Sequence, residues 1–172
     1  PADLPIEPQS PGLNQRIWWG AATIATGEWA ASAGYHLLSS TLLLGDDGRP
    51  FDVQQAEQIT RYRERHAASG HATGGLAAVT RPVFPITSDD DRRYFGAQDE
   101  RGDGRGILDN SRAVSGPTIA GPPDEVAERL AADRATAEAD YVLFALPSQL
   151  GVAYNTHLFE NLVSLARALG WK

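Results

Sequence analysis

Arg16-Ile-Trp-Trp-Gly-Ala-Ala-Thr23 opens the part of the chain that decides the fold. The apolar run Arg16–Gly20 stops at a glycine, which marks a short buried strand. Thr23 or Thr26 can cap a helix over Gly27–Ser32, and Gly34 ends it. The same order recurs three times downstream. His36–Ser40 reads as a second buried strand, and Gly45–Pro50 is turn chemistry. A helix over Asp52–Ala68 follows, with Val53, Ala56, Ile59 and Arg63 on one face. Leu76–Pro85 is the third strand, and Pro82 should end or bulge its pairing because proline has no N–H to donate. Gly121-Pro-Pro-Asp-Glu125 starts a helix to about Ala137, with Val126, Leu130 and Ala131 inward. Tyr141–Leu146 is the fourth strand. The last helix, Asn155–Leu169, carries the stripe Leu158, Phe159, Leu162, Val163, Ala166 and Leu169.

Strand and helix alternating four times implies an α/β fold, with parallel strands joined by crossover helices. Parallel strands need both faces covered. Four units are half of what closes a (β/α)8 barrel. A barrel-like bend would leave about eight inward side chains without partners, at ~1.5–3 kcal/mol each. Such a loss exceeds the typical stability of a domain. The sheet is therefore either flat and doubly wound, or it requires another piece. Residues 1–15 hold four prolines and read as an extended lead-in. Residues 96–121, rich in Gly, Asp and Arg, read as an irregular surface loop. Asp89–Phe95 reads as one or two helical turns, with the run Asp89–Asp91 as a solvated helix start.

The 172 residues suit one domain with a real core. There is no cysteine, which excludes disulfides, thiolate metal sites and a cysteine nucleophile. The net charge of −7 argues against nucleic acid, whose affinity rests on Lys and Arg. No apolar run approaches the length that spans a bilayer. The sequence starts at Pro1 and has no methionine, so a lost initiator or a piece of a longer product is expected.

Arg16-Ile-Trp-Trp-Gly-Ala-Ala-Thr23, Glu28-Trp-Ala-Ala and Ser39-Ser-Thr-Leu42 resemble the luciferase-like flavin-dependent monooxygenases. Pro123–Leu130 and Ala139–Gly151 resemble that family's closing strand and the helix before it. The likeness runs from about Arg16 to Lys172. It implies the second half, strands five to eight, of a (β/α)8 TIM barrel over residues 16–172. It further implies part of a bacterial, cytoplasmic oxidoreductase. Such an enzyme uses oxygen and reduced FMN, supplied by a separate reductase, to oxidise a small organic substrate. Deazaflavin is the alternative cofactor. In the family the turn after the fifth strand contacts the FMN phosphate, which here is Gly20-Ala21-Ala22-Thr23. Small residues there let the backbone approach, and the helix start offers N–H groups. Ser39, Ser40 and Thr41 end the next strand, and one of them, Ser40 or Thr41 first, can line the barrel mouth and touch a flavin ring or substrate. Some relatives place a tryptophan against the flavin where this chain has Thr41. The arginines that usually grip the phosphate would lie in the absent half, so the isolated half is expected to be inactive.

Other residues carry less. Arg81, alone in an apolar strand, points to a structural ion pair. Gln149 reads as a loop residue. His36, His66, His71 and His157 lack metal-ligand spacing, so no metal is expected. Trp18 and Trp19 face opposite ways, and both read as core. Two other functions stay open: a non-catalytic half-barrel that pairs with its own copy, and a doubly wound small-molecule-binding domain. The expected partner is the missing N-terminal half or a second copy, and a dimer is expected.

Overall fold

A computed structural model describes residues 8–71, 74–98 and 102–171. The first seven residues of the expected lead-in lie outside the described residues, and the lead-in ends in a 3-10 turn at Leu13–Arg16. Strand β1 is Trp18–Ala21. Thr23 caps α1, Ile24–Ala33, by accepting a hydrogen bond from the Thr26 N–H, and Gly34 ends it at φ 77°. Next come β2, His36–Ser39, and the short β3, Leu42–Leu44. Helix α2 is Phe51–Ala68 and β4 is Ala77–Arg81. The chain breaks at Pro82, as its missing N–H requires, and resumes as β5, Val83–Pro85. Helix α3 is Asp89–Phe95. Then follow β6, Gly104–Leu108, β7, Ser111–Ser115, and β8, Ile119–Gly121. Helices α4, Pro123–Ala132, and α5, Arg134–Glu138, lead to β9, Tyr141–Phe144, and α6, Gly151–Ala168.

The main sheet is wholly parallel, in the order β1-β2-β4-β9. That order follows the chain, without the reversal that marks the switch point of a complete doubly wound sheet. Side chains alternate between the two faces. On one face Leu37, Ala77 and Val79 are buried with Ala31 of α1, Ile59 and Tyr62 of α2, and Ala135 of α5. On the other lie Trp18, His36, Leu38, Ala78, Tyr141 and Leu143, the walls of an open groove of about 540 Å³. Rings from the two edge strands meet across this face, Trp18 and Tyr141 at 5.7 Å between centroids. The helices of the first core pack on the opposite face, so this groove lies on the uncovered side of the sheet. Trp18 and Trp19 do face opposite ways, but each is close to two-fifths exposed, so neither is core.

A second core packs Val83, Phe84, Ile119 and Ala120 of the parallel β5–β8 pair against Val126 and Leu130 of α4 and Leu158 and Leu162 of α6. Ala131 and Phe159, expected inward, are exposed. The expected loop over 96–121 is largely ordered instead. β6 and β7 form a hairpin that β3 extends into a three-stranded antiparallel sheet. Its turn is Asp109-Asn110, both at positive φ, the two-residue turn that matches strand twist. Arg105 pins the hairpin by donating to the Asp46 carboxylate. The Arg105 hydrogen bond, with others from Gln54 and the Gly48 N–H, holds Asp46 well below the usual carboxylate range.

Helix α2 also differs from expectation. Its buried face is Phe51, Gln54, Gln55, Gln58, Ile59, Tyr62 and His66, not the stripe through Val53, Ala56 and Arg63. Apolar periodicity misses this face because hydrogen bonds rather than carbon contacts bury the three glutamines. Arg81 makes the expected ion pair. Its Nε and Nη2 donate to the two Asp133 carboxylate oxygens at 2.7 and 2.9 Å, with Arg81 only 2% exposed.

Candidate functional site

The carboxyl ends of β1 and β2 lie side by side, since Ala21 pairs with Ser39 in register. The structure thereby gathers Gly20, Ala21, Ala22, Thr23, Ser40 and Thr41 at one end of the parallel sheet. In open and closed α/β folds ligands bind at this end. Two glutamines of α2, which sequence reasoning missed, set the backbone there. The Gln58 side-chain amide donates to the carbonyls of Ala21 at 3.1 Å and Thr23 at 2.8 Å, and accepts from Ser39 Oγ at 2.6 Å. Gln55 donates to Ser39 Oγ at 3.1 Å and to the Ser40 carbonyl at 2.8 Å. The Ser40 N–H donates to the Ala21 carbonyl at 3.1 Å, which ties the two strand ends together. A Gln58→Leu variant is expected to lose about 2–3 kcal/mol, since it removes three interior hydrogen bonds worth about 1 kcal/mol each. Chemical denaturation measures this, and a loss under 1 kcal/mol would mean that Gln58 does not set the turn.

The chemistry left free at this end is modest. The Thr23 hydroxyl accepts from the Thr26 N–H and donates to Thr26 Oγ1 at 2.9 Å, so it serves the helix cap. Ser40 Oγ accepts the Leu42 N–H at 3.3 Å. Thr41 is exposed, and its carbonyl accepts the Gly116 N–H at 3.4 Å. The first-turn N–H groups of Ile24 and Ala25 have no partner within the helix. A Cβ built on Gly20 would meet no atom within 4 Å, so the space above this strand end is open. The cleft beside Thr23 is only about 60 Å³, and its one cation, Arg49, is already paired with Asp47 and Glu57. The donor set therefore fits one face of a phosphate. The charge to balance it must come from outside these residues.

A second constellation lies where α3 meets α6. Asp91 sits on α3 and is fully buried, not solvated as its acidic run suggested. Its carboxylate accepts from the Thr87 N–H and hydroxyl at 3.0 Å, the Ser88 N–H at 2.9 Å, and the Tyr154 hydroxyl. His157 Nε2 lies 3.1 Å from both carboxylate oxygens. Burial pushes Asp91 up, but the hydrogen bonds from Tyr154, His157, Thr87 and Ser88 outweigh it and hold the carboxyl well below its usual range. Burial, followed by the hydrogen bond to Asp91, pushes the Tyr154 phenol up. The only signal for this cluster in the sequence was the Ser-x-x-Asp capping pattern at Ser88 and Asp91, which is met here as a capping box.

The four histidines do not gather in one place. The His66 and His71 rings lie 4.9 Å apart between centroids, tilted at 49°, while His36 lines the open groove and His157 joins Asp91. Among the described residues no group of His, Asp or Glu is placed to hold a metal. Gln149 is exposed in a 3-10 turn. Among the described residues no helix is long and apolar enough to cross a membrane.

No family model matches the sequence. No curated protein matches it either. Among solved structures, the monooxygenase RslO1 from Streptomyces bottropensis matches 86% of this chain with a TM-score of 0.54 and 17% identity. The matched part is 47% of that monooxygenase, so this chain spans about half its length. The likeness is one of fold: a monooxygenase also uses this α/β arrangement around a parallel sheet.

Proposed function

We propose that this chain forms strands five to eight of a (β/α)8 barrel, as part of a luciferase-like monooxygenase that oxidises a small organic substrate. The observation that carries the reading is the parallel sheet with helices packed on one face, whose edge strands bring Trp18 and Tyr141 together across the other. Among the described residues helices cover that one side alone, as barrel strands require, and the chain is about half as long as a monooxygenase of similar fold. When bound, reduced FMN would supply the oxygen-activating chemistry. This chain's part is to hold it. The N–H groups of Ile24 and Ala25 would meet the phosphate at the helix start. The open space above Gly20 admits the cofactor's approach, and the hydroxyls of Ser40 and Thr41 stand at the neighbouring strand end. Gln58 and Gln55 keep the two strand ends in place. The other barrel half would complete the mouth and supply the cations, so the isolated chain is expected to bind the cofactor weakly and to turn over no substrate.

A Gly20→Leu substitution tests the assignment. The added side chain meets no protein atom near its Cβ, so the fold should hold, while the approach to the strand end is blocked. The expected result is a loss of FMN affinity of about tenfold or more, which corresponds to ~1.4 kcal/mol. Unchanged FMN affinity, with an unchanged circular dichroism spectrum, would remove this turn from the cofactor site.

A further inference from the structure

We infer that His36, His66 and His71 form a pH-sensitive joint, which holds Gly75 and Leu76 at the entry of β4 while the imidazoles are neutral and releases them on acidification. The joint lies at the amino end of the parallel strands, away from the turn after β1. His36 and His66 reach the entry of β4 from opposite sides of the sheet. His36, on β2, lines the open groove, and its Nδ1 accepts the Leu76 N–H at 3.2 Å. A backbone N–H can only donate, so this bond requires Nδ1 to be without a proton. His66 comes from the last turn of α2 and is 7% exposed. The chain passes so close over it that a Cβ on Gly75 would stand 2.7 Å from His66 Cδ2 and 2.3 Å from the Tyr62 hydroxyl. Only glycine lets the backbone close over this ring. His71 Nε2 donates to the carbonyls of Ala31 at 2.9 Å and Ser32 at 3.1 Å, at the end of α1, which fixes its ring beside His66.

Charge on these rings opposes the arrangement. A proton on Nδ1 of His36 sets one donor against another and breaks the bond from Leu76. A charge on His66 has to be buried under Gly75, which costs free energy unless the ring moves out to water. Burial, followed by the neighbouring His71 and then His36, pushes the His66 imidazole below its usual range. The titratable groups facing it are these two histidines and Tyr62 of its own helix, whose hydroxyl donates to the Tyr35 carbonyl at 2.9 Å. Nearby, Asp140 is paired with Arg63 and accepts the Ala77 N–H, and Arg65 donates to Ser32 Oγ. Among the described residues no carboxylate is paired with His36, His66 or His71, so their charges would repel without compensation. The folded value of His66 lies below its ordinary 6.5, so the unfolded chain takes up this proton first as the pH falls. The stabilisation is whole above about pH 6.5 and is lost as the pH falls from there through the lower folded value.

Amide hydrogen exchange and chemical denaturation of the full chain, at about pH 7.5 and about pH 5.5, test this. The folding equilibrium constant should fall about fivefold or more between the two. Protection of the Leu76 amide, corrected for the intrinsic pH dependence of exchange, should fall at least as far. The Asp46 and Asp91 carboxyls lie below this window, and His157 sits apart with Asp91, so Leu76 reports on the joint alone. His66→Phe keeps a ring that takes no proton, and it should remove most of the fall. His36→Asn puts an Oδ1 acceptor in place of Nδ1, and it should cut the fall in Leu76 protection about twofold or more. Circular dichroism checks folding, and His36→Asn decides should His66→Phe fail to fold. Equal Leu76 protection at both pH values would overturn the inference, as would a fall that the folded variants leave untouched. FMN affinity plays no part in this test, so the cofactor reading stands or fails separately.

Discussion

Replacing Asp133 with alanine is expected to destabilise the protein by about 3–5 kcal/mol, the cost of breaking a buried pair from one side. Arg81 lies within the main sheet at 2% exposure, its guanidinium 5.6 Å from the Phe51 ring centroid. Asp133 meets it in a bidentate pair and also caps α5 by accepting the Thr136 N–H at 2.9 Å. The alanine variant therefore loses both a cap and the carboxylate paired with a buried cation. Replacing both partners, Arg81→Met with Asp133→Asn, should cost far less, since the cation and its carboxylate leave together and an acceptor for the α5 cap remains. Chemical denaturation of the single and the double variant gives the comparison. A smaller loss for Asp133→Ala than for the double variant would show that the pair does not fasten the sheet to α5.

Asp91→Asn should cost about 3 kcal/mol at neutral pH, because an amide cannot accept every hydrogen bond that the buried carboxylate receives. The effect has a pH signature. The carboxyl's folded value lies below its ordinary 3.8, so its stabilisation is fully present above about pH 4. It is lost as pH falls from there through the lower folded value. The stability gap between the native protein and Asp91→Asn should therefore narrow on acidification below about pH 4. Denaturation curves at a series of pH values measure it, and a gap that stays constant would mean that the carboxylate is not what joins α3 to α6.

Much of the fold was legible because its signals are local. Each strand of the main sheet is a short apolar run stopped by glycine, proline or a polar strand end, and each long helix opens or closes on a recognisable residue. The Arg81 pair was legible for the same reason, as an arginine in an apolar strand must find an acid. The misreadings depend on partners distant in sequence. Leu42–Leu44 becomes a strand only because β7 comes to pair with it. Gly104–Leu108 looks like loop until Asp109-Asn110 is seen turning it onto β7. Asp91 reads as a helix-start acid until Tyr154 and His157 arrive from α6 to bury it. In the candidate site, Gly20 through Thr23 could be found from small residues before a helix. Gln55 and Gln58 could not, because their role lies in backbone carbonyls that no residue pattern marks.

We propose a cofactor phosphate at the turn after β1, and comparing FMN with riboflavin tests this most directly. The two differ by that phosphate alone. The account predicts that the chain binds FMN at least about tenfold more tightly than riboflavin, as charge-assisted hydrogen bonds from the helix start would give. Equal affinity for the two, or tighter binding of riboflavin, would contradict it.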